Sequence, residues 1–589
     1  MCGICGEFSF GGVALSTATT KKMSQSLAKR GPDATGIWAT PKVVFGHRRL
    51  QIVDLSEHSA QPMVDNSLKL TIVYNGMLYN YRQLKDELEK KGYRFISTGD
   101  TEVVLKSFAE WGPLCVKKFN GMFAFAIYEH DSDRLTLARD RLGIKPLYYS
   151  RLPGKLRFAS TLPALLVDGE IDTRLDPLGL HSYFTLHAIT PPPHTILRGV
   201  HKLPPATIVT YEPDGQKKMT TYWKLEFPVE SNSRTSMEWE DILLEALRKS
   251  VKRRMLADVP VGILLSGGLD SSLITALLSE AGQELQTFSI GFEGTREEPG
   301  DEFRYSDLIA NKFGTKHTKI EVDSDRTLSA LPEAIAAMSE PMVSHDCVGF
   351  HLLASEVAKN LKVVQSGQGA DEVFAGYSWY QSLKNSDAPL ADYASLFFDH
   401  THAELTNLLT PGYLANSNFT LEFVTDNFAH LGAETAVTKA LRIDQTVMLT
   451  EDPVKRLDNF TMAHGVEARV PFLDHELVEL AANIPENLKL ADGGKGILKS
   501  LARKILPQEV IDRPKGYFPV PALKYIRGPY LEFVREALHS PTARRRGVFR
   551  TDIIEKLLAE PDQHITPLQG NKLWQIALLE LWLQENKIG

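Results

Sequence analysis

The spacing of hydrophobic and polar residues divides the chain into two parts with different patterns. Through about residue 211, short apolar or alternating runs, such as residues 68–76 and 122–130, are separated by turn-forming residues, as is typical of β-strands. Two amphipathic stretches, residues 81–92 and 101–112, each end in the glycine that often closes a helix. This part is therefore predicted to be an α+β domain of antiparallel sheets with helices.

The second part begins near Met237, where amphipathic helical stretches alternate with short apolar runs at residues 261–265, 287–292 and 362–367. Strands that alternate with helices indicate a parallel sheet covered by helices, the α/β class. Residues 212–236 are polar and lack periodicity. We therefore predict a first domain at residues 2–211, a linker at 212–236 and a second domain at 237–589.

Composition and charge narrow the classes of function. The chain has 589 residues, 43% of them hydrophobic, and a formal net charge of −7. Proteins that bind nucleic acid through its phosphates usually carry a basic excess, so nucleic acid is excluded as the main partner. Four cysteines are too few for a disulfide framework, and no apolar run is long enough to cross a bilayer. We expect a cytoplasmic protein without a membrane partner; the oligomeric state stays open, with a homodimer as one option.

One glycine-rich segment indicates phosphate binding. An apolar run leads into Ser266-Gly267-Gly268-Leu269-Asp270-Ser271-Ser272, and a helical pattern follows. Glycines let backbone N–H groups face a ligand, and the following helix N-terminus favours an anion. The lysine of a Walker loop is missing, so a grip on a terminal phosphate for transfer is not expected. The alternative interpretation is a glycine turn followed by a helix cap.

The amino end carries a second chemical signal. Cys2 and Cys5 have the C-x-x-C spacing of redox dithiols and of half a zinc site. Removal of Met1 would instead leave a thiol and an α-amino group on Cys2, with pKa values of about 8.5 and about 8, so the amine can accept the thiol proton. Since no second cysteine pair completes a zinc site, we favour an N-terminal nucleophile and expect Cys5 to be a small buried side chain.

Five motifs in order, at residues 2–4, 30–33, 47–50, 75–76 and 99–102, resemble the class II glutamine amidotransferase domain, an N-terminal-nucleophile fold. The resemblance implies that Cys2 attacks the side-chain amide of glutamine. It also implies that Asn75 and Gly76 form the oxyanion hole, Arg49 binds the α-carboxylate and Asp100 binds the α-ammonium group. The remaining residues of the implied glutamine pocket are Leu50, Gln51, Ile52, Val53 and Met77.

Each of these residues also has a structural interpretation. Arg49 is compatible with a surface ion pair, Asn75-Gly76 with a hairpin turn, and Asp100 with a helix cap. We favour the functional interpretation because the motifs occur together and in order.

The loop at residues 266–272 resembles the signature of ATP pyrophosphatases, which cleave ATP to AMP and pyrophosphate, and residues 365–372 resemble its partner loop. The resemblance implies that Asp270 and Asp371 hold Mg²⁺ on the phosphates. The ATP contacts that it implies are Leu265, Ser266, Gly267, Gly268, Asp270, Ser271, Ser272, Ile290, Ser366, Gly367 and Lys495. We interpret Lys515 as a solvated charge in a loop. The same interpretation is the alternative to an ATP contact for Lys495.

The two domains in this order resemble the asparagine synthetase family, and the resemblance includes residues 138–149, 197–207 and 462–481. It implies that glutamine supplies ammonia through an internal tunnel to a small carboxylate, which ATP has activated as an acyl-adenylate. Some transfer RNA sulfur-inserting enzymes combine such a loop with reactive cysteines. The terminal position of Cys2 and Cys5 and the acidic charge disfavour that alternative.

Two positions depart from the pattern of asparagine-forming members. Met77 replaces a glutamate beside Asn75-Gly76, and Gln368 replaces the glutamate of an S-G-E-G motif. A neutral amide cannot act as a base. Residues 156–166, 340–353 and 363–377 resemble the N-acetylglutaminylglutamine amidotransferases, relatives that amidate a capped dipeptide used in osmoprotection. We therefore expect a capped dipeptide as acceptor, with Gln368 in the acceptor site; aspartate is the alternative.

Overall fold

The computed structural model describes residues 2–228, 234–280, 282, 284–293, 301–513 and 520–589. Lys515 and part of the predicted linker, residues 229–233, lie outside the described residues.

Within these described ranges, seventeen strands form three sheets. The strands are β1 (Gly3–Ser9), β2 (Ala34–Ala39), β3 (Val43–Arg49), β4 (Met63–Asp65), β5 (Leu70–Leu78), β6 (Gly121–Glu129), β7 (Arg134–Arg139), β8 (Tyr148–Leu152), β9 (Lys155–Ala159), β10 (His201–Lys202), β11 (Thr207–Tyr211), β12 (Lys217–Thr221), β13 (Val261–Leu264), β14 (Gln286–Phe292), β15 (Lys316–Val322), β16 (Val363–Gln365) and β17 (Glu467–Arg469).

The α-helices of the described residues lie mostly in the second half of the chain. They are α1 (Thr17–Ser26), α2 (Tyr81–Lys90), α3 (Asp100–Trp111), α4 (Leu162–Leu165), α5 (Pro177–Thr185), α6 (Ser236–Arg253), α7 (Leu269–Ser279), α8 (Phe303–Phe313), α9 (Ser324–Ala337), α10 (Cys347–Val357), α11 (Ala370–Val373), α12 (Ser378–Leu383), α13 (Pro389–Phe397), α14 (His402–Leu408), α15 (Phe419–Ala429), α16 (Ala436–Ile443), α17 (Lys455–Met462), α18 (His475–Asn483), α19 (Glu486–Leu490), α20 (Gly496–Ala502), α21 (Gln508–Ile511), α22 (Pro521–Lys524), α23 (Pro529–His539), α24 (Pro541–Arg546), α25 (Thr551–Ala559) and α26 (Lys572–Glu585). Among the described residues, no helix combines the length and the apolar character needed to span a bilayer.

Two antiparallel sheets make up the amino-terminal part, in the strand orders β10-β8-β9-β1-β3-β2 and β12-β11-β7-β6-β5-β4. Their facing side chains form one buried cluster that includes Ile4 and Phe45 of the first sheet and Val73 and Ala124 of the second. The predicted antiparallel α+β class is confirmed. The packing also places the start of β1 opposite β5, because the central strands of both sheets face each other.

The second antiparallel sheet continues beyond residue 211. Strand β12 pairs with β11 in register from Thr207 opposite Thr221 to Tyr211 opposite Lys217. It lies inside the segment predicted as a linker, and we therefore propose that the first domain extends at least to Thr221. Helix α6 begins at Ser236 with a capping box in which Thr235 and Glu238 exchange side-chain and backbone hydrogen bonds.

The third sheet is parallel and has the order β15-β14-β13-β16-β17, which confirms the predicted α/β class of the second part. From β13 the chain adds β14 and β15 on one side and β16 and β17 on the other. The strand order therefore reverses between β13 and β16. Ligands of parallel sheets bind at such a switch point, beyond the carboxyl ends of the strands.

Buried ion pairs join the two parts of the chain. Arg30 lies 2.8 Å from Asp458 on α17, and Lys145 lies 3.3 Å from the same carboxylate. Burial alone would raise the pKa of Asp458, but Arg30 and Lys145 hold it below its usual value. Because a charge buried without its partner is strongly unfavourable, these pairs fix one arrangement of the antiparallel sheets against α17.

Candidate active sites

The first candidate site is centred on Cys2, which lies buried just before β1. Its backbone nitrogen donates a 3.0 Å hydrogen bond to Asn75 Oδ1 on β5 of the facing sheet. Burial raises the pKa of the Cys2 thiol, so its ionisation depends on a nearby proton acceptor. Cys5, by contrast, lies within β1 with its Sγ near the carbonyl oxygens of Thr20 and Gly46.

Asn75 and Gly76 lie inside β5, so the hairpin-turn alternative is wrong. The hydrogen bond from Cys2 orients the amide of Asn75 with its oxygen toward the cysteine nitrogen. Asn75 Nδ2 is buried and donates no hydrogen bond to any described residue. A buried donor without a partner is costly, and here it lies beside the thiol-bearing residue, as an oxyanion hole requires. Gly76 has to be glycine because a Cβ would overlap the Met122 carbonyl oxygen of β6.

Asp100 is the first residue of α3, whose N-cap is Gly99, so the helix-cap alternative is wrong. Its Oδ2 accepts hydrogen bonds of 2.9 Å from the Tyr74 hydroxyl and from the Leu78 backbone of β5. Burial nevertheless raises the pKa of Asp100 above its usual value. The neighbouring Met77 side chain is also buried and contributes no charge.

Arg49 is buried, which contradicts the surface ion pair. One guanidinium nitrogen donates to the Ser56 carbonyl at 2.8 Å and the other donates to the Asp54 carbonyl. Both acceptors lie in the segment of residues 50–56, which we call the glutamine loop. The loop residues predicted for the glutamine pocket are Leu50, Gln51, Ile52 and Val53. In this structure the Arg49 guanidinium therefore stabilises the conformation of the glutamine loop by binding two of its backbone carbonyls.

Asp54 was missed by the sequence analysis. It has a left-handed backbone, with φ at 49°, and its carboxylate accepts hydrogen bonds from Ser56, Ser59 and the Thr98 backbone. Burial would raise its pKa, but these hydrogen bonds hold it well below its usual value. The only signal in the sequence is an aspartate two residues before a serine, a common turn pattern. Asp54 connects the glutamine loop to the segment that precedes α3.

The second candidate site lies beyond β13 and β16. The chain leaves β13 at Leu264, turns through Gly267 with φ at 72°, and enters α7 with Gly268 as its N-cap. Neither serine at 271 or 272 caps this helix by its side chain, so the helix-cap alternative does not account for them. The partner loop follows β16, turns at Gly369 with φ at 94° and leads into α11. Both predicted glycine-rich loops therefore lie side by side at the switch point of the sheet.

Lys495 joins the two loops. Its Nζ lies 2.7 Å from Asp270 Oδ2 and 2.9 Å from Asp371 Oδ2. Burial would lower the pKa of Lys495, but the two carboxylates raise it well above its usual value. The solvated-charge alternative for Lys495 is wrong. The two carboxylates and one ammonium group leave a net negative charge on hard oxygen atoms, which suits Mg²⁺.

These side chains line a cavity of about 490 Å³. The predicted ATP and acceptor residues in its wall are Leu265, Ser266, Gly268, Asp270, Ser271, Ile290, Ser366, Gly367, Gln368, Asp371 and Lys495. Two others lie behind the loop. Gly267 packs against the backbone of Tyr305 and Ser306, and Ser272 is fully buried in α7.

The same cavity is lined by a charged group that the sequence analysis missed. Arg456 of α17 pairs with Asp346 at 3.1 Å and with Asp452 at 3.1 Å. Its guanidinium also lies over the Phe350 ring, 5.9 Å from the centroid. Asp346 is the N-cap residue of α10, but its side chain makes no capping hydrogen bond to that helix. The wall that holds Gln368 therefore also presents an arginine and an aspartate.

Comparison with known proteins connects the two sites. The sequence profile of the asparagine synthase family matches residues 243–584, and that of the glutamine amidotransferase domain matches residues 1–223. Glutamine-hydrolysing asparagine synthetase 3 of Bacillus subtilis strain 168 is 33% identical over 95% of this chain and 92% of its own length. Asparagine synthetase 1 of the same organism is 30% identical over 99% of this chain and 96% of its own. Amidase chyE of Penicillium rubens is 27% identical over 87% of this chain and 83% of its own.

The profile of the larger domain covers more than half of the chain, and both bacterial relatives align over nearly all of it. The chain therefore belongs to the asparagine synthase family and is an amide-forming ligase of that type, with a glutamine amidotransferase domain at its amino end.

Proposed function

We propose that the chain hydrolyses glutamine at Cys2 and uses the ammonia to amidate a carboxylate that ATP has activated in the 490 Å³ cavity, with release of AMP and pyrophosphate. The observation that carries the proposal is the Lys495 ammonium group between Asp270 and Asp371, at the meeting point of two glycine-rich loops. The measurement that tests it is the appearance of AMP and pyrophosphate in step with glutamate, in a mixture of protein, ATP, glutamine and acceptor.

At the first site, Cys2 Sγ attacks the side-chain amide carbon of glutamine, and the α-amino group of Cys2 accepts the thiol proton. Asn75 Oδ1 orients that nitrogen, and Asn75 Nδ2 donates to the oxyanion of the tetrahedral intermediate, with the Gly76 N–H as the second donor. Collapse of the intermediate releases ammonia and leaves a thioester on Cys2, which water then hydrolyses to glutamate. Arg49 and Asp100 are proposed to bind the α-carboxylate and the α-ammonium group of glutamine.

Replacing Asn75 with alanine is expected to lower kcat for glutamine hydrolysis by about 10², the effect of removing one oxyanion donor. Ammonia-dependent amide formation should stay at the wild-type level, because that reaction does not use Cys2. Asn80→Ala is the matched control, since Asn80 lies in the same domain and donates to the Lys118 carbonyl. Equal kcat values for Asn75→Ala and wild type would exclude Asn75 from the oxyanion hole.

At the second site, backbone N–H groups of the 266–272 loop and the N-terminus of α7 bind the phosphates of ATP. Asp270 and Asp371 are the residues that would hold Mg²⁺, which supplies positive charge against the phosphate oxygens when bound. Within the described part of the chain, no three His, Cys, Asp or Glu side chains gather into a metal-binding group, so further ligands would come from phosphate and water. Lys495 neutralises the pyrophosphate as it leaves.

The acceptor is proposed to be a capped dipeptide of the N-acetylglutaminylglutamine type, amidated at its α-carboxylate. Gln368 supports this choice, because its amide donates to and accepts from peptide groups but takes no proton from ammonia. The cavity is also lined by Phe350 and Leu353, which suit the apolar parts of a substrate larger than an amino acid. Aspartate is the second candidate, favoured by the names of the bacterial relatives.

Offered separately with glutamine, ATP and magnesium, the capped dipeptide is expected to give at least a tenfold higher kcat/KM than aspartate, about 1.4 kcal/mol in transition-state binding. The measurement is quantification of each amide by mass spectrometry across a range of acceptor concentrations. Gln368→Glu is the matched variant. It should reduce the ratio of kcat/KM for the dipeptide to kcat/KM for aspartate, since it introduces the carboxylate that asparagine-forming members carry at this position. A tenfold preference for aspartate would identify the chain as an asparagine synthetase and Gln368 as a tolerated variation.

A further inference from the structure

The glutamine loop contacts the second domain at Asp258. The Asp54 backbone N–H donates to Asp258 Oδ2 at 2.7 Å, and the Asp258 N–H donates to the Ile52 carbonyl at 2.8 Å. Asp258 therefore holds the loop through two hydrogen bonds, of which one depends on its side chain. Both bonded residues of the loop flank Val53, one of the residues of the proposed glutamine pocket.

A second contact lies one strand away. Asp33 Oδ2 accepts a hydrogen bond of 2.7 Å from the Gln51 backbone of the glutamine loop. The same oxygen lies 2.8 Å from Lys362 Nζ of the second domain. Lys362 immediately precedes β16, and Asp258 lies shortly before β13. The glutamine loop is thus tied to the amino ends of the two strands whose carboxyl ends carry the two glycine-rich loops.

Arg469 links this end of the sheet to the second glycine-rich loop. Its buried side chain donates hydrogen bonds of 2.8 Å to the carbonyls of Arg254 and Leu256, in the segment that leads to Asp258. Its own carbonyl accepts a 2.9 Å hydrogen bond from the Ser366 backbone in the second glycine-rich loop. One residue therefore connects the phosphate site with the segment that holds the glutamine loop. Strand β13 is four residues long, so the phosphate loop and Asp258 are separated by roughly 15–20 Å.

We propose that Asp258 is a positioning residue for glutamine hydrolysis: from the second domain it holds the glutamine loop in its binding conformation, and through β13 and Arg469 it makes glutamine binding respond to ATP. Asp258 contacts neither glutamine nor ATP; it acts through the Asp54 backbone. The inference rests on the proposed glutamine pocket. Glutamine hydrolysis by the unmodified protein tests that pocket, whereas variants of Asp258 test only the contact.

The experiment measures KM and kcat for glutamine hydrolysis in the full chain, with and without saturating ATP. Asp258→Ala should raise KM for glutamine roughly three- to tenfold, the effect of losing one hydrogen bond, with little change in kcat. Asp258→Asn keeps an acceptor oxygen and should restore the wild-type KM. In the wild-type protein ATP should lower KM about fivefold, and Asp258→Ala should lose this response.

Two controls separate positioning from general damage. Asp241→Ala removes an exposed acid from α6 of the same domain and should behave as wild type. Ammonia-dependent amide formation should be unchanged in Asp258→Ala, because that reaction bypasses the glutamine loop. A wild-type KM for glutamine in Asp258→Ala would overturn the proposal, as would an equal rise in KM in the alanine and asparagine variants. It is also overturned if ATP changes KM equally in the wild-type protein and in Asp258→Ala, or changes it in neither.

Discussion

Replacing Cys2 with alanine is expected to lower kcat for glutamine hydrolysis by about 10⁶, because the variant lacks the Cys2 thiol that forms the thioester. Amide formation from ammonium salts should remain, since the adenylating chemistry is proposed to occur in a separate cavity that Cys2 does not line. The measurements are glutamate release from glutamine and amide formation from either nitrogen source. We expect amide formation to be lost completely with glutamine as the nitrogen source and to be unchanged with ammonium.

Cys5→Ala is the matched control for this variant. Cys5 is a buried cysteine three residues further along the same segment, and burial raises the pKa of its thiol far above the usual range. Among the described residues, the hydrogen-bond partners of its Sγ are two backbone carbonyl oxygens, those of Thr20 and Gly46. We therefore expect Cys5→Ala to keep both activities. Glutamine hydrolysis in a folded Cys2→Ala protein, or loss of both activities in it, would contradict the role given to Cys2.

The apolar runs of the sequence identified strands that are buried along most of their length. β5 and β6 overlap the apolar runs at residues 68–76 and 122–130, and α3 ends at Trp111 with the expected Gly112 as its C-cap. Periodicity did not identify β12, because Lys217–Thr221 is an exposed edge strand of mostly polar residues and has no buried face. An edge strand of this kind is defined by its hydrogen bonds to a neighbour, which a local pattern does not contain.

The candidate sites divide in the same way. Local motifs marked Cys2, Asp270 and Asp371, since each occurs in a short segment with its own signature. Arg456 and Asp258 carry no such signature, because their roles depend on residues far away in the chain. The side-chain contact of Asp258 joins residues 204 positions apart. Contacts of this length follow from the packing of the two domains and are visible only in the folded chain.

Replacing Asp270 with asparagine is expected to lower the rate of pyrophosphate release by about 10³ or more, with glutamine or ammonium as the nitrogen source. Asp270 and Asp371 together hold the Lys495 ammonium group where the two glycine-rich loops meet. Asparagine keeps the size of the side chain but removes its charge, which weakens the hold on Lys495 and on any cation at the phosphates. Asp371→Asn should have the same effect, because the two carboxylates lie at equivalent distances from Nζ.

Three observations make this prediction decisive. Glutamine hydrolysis at Cys2 should persist in Asp270→Asn, which would show that the protein is folded and that only the second site is impaired. Asp241→Asn is the matched control, since it removes an exposed acid from α6 and should release pyrophosphate at the wild-type rate. The identity of the products matters more than their rate. The proposed mechanism cleaves ATP between its α- and β-phosphates. Formation of ADP and orthophosphate in place of AMP and pyrophosphate would therefore rule out this mechanism, together with the roles given to Asp270, Asp371 and Lys495.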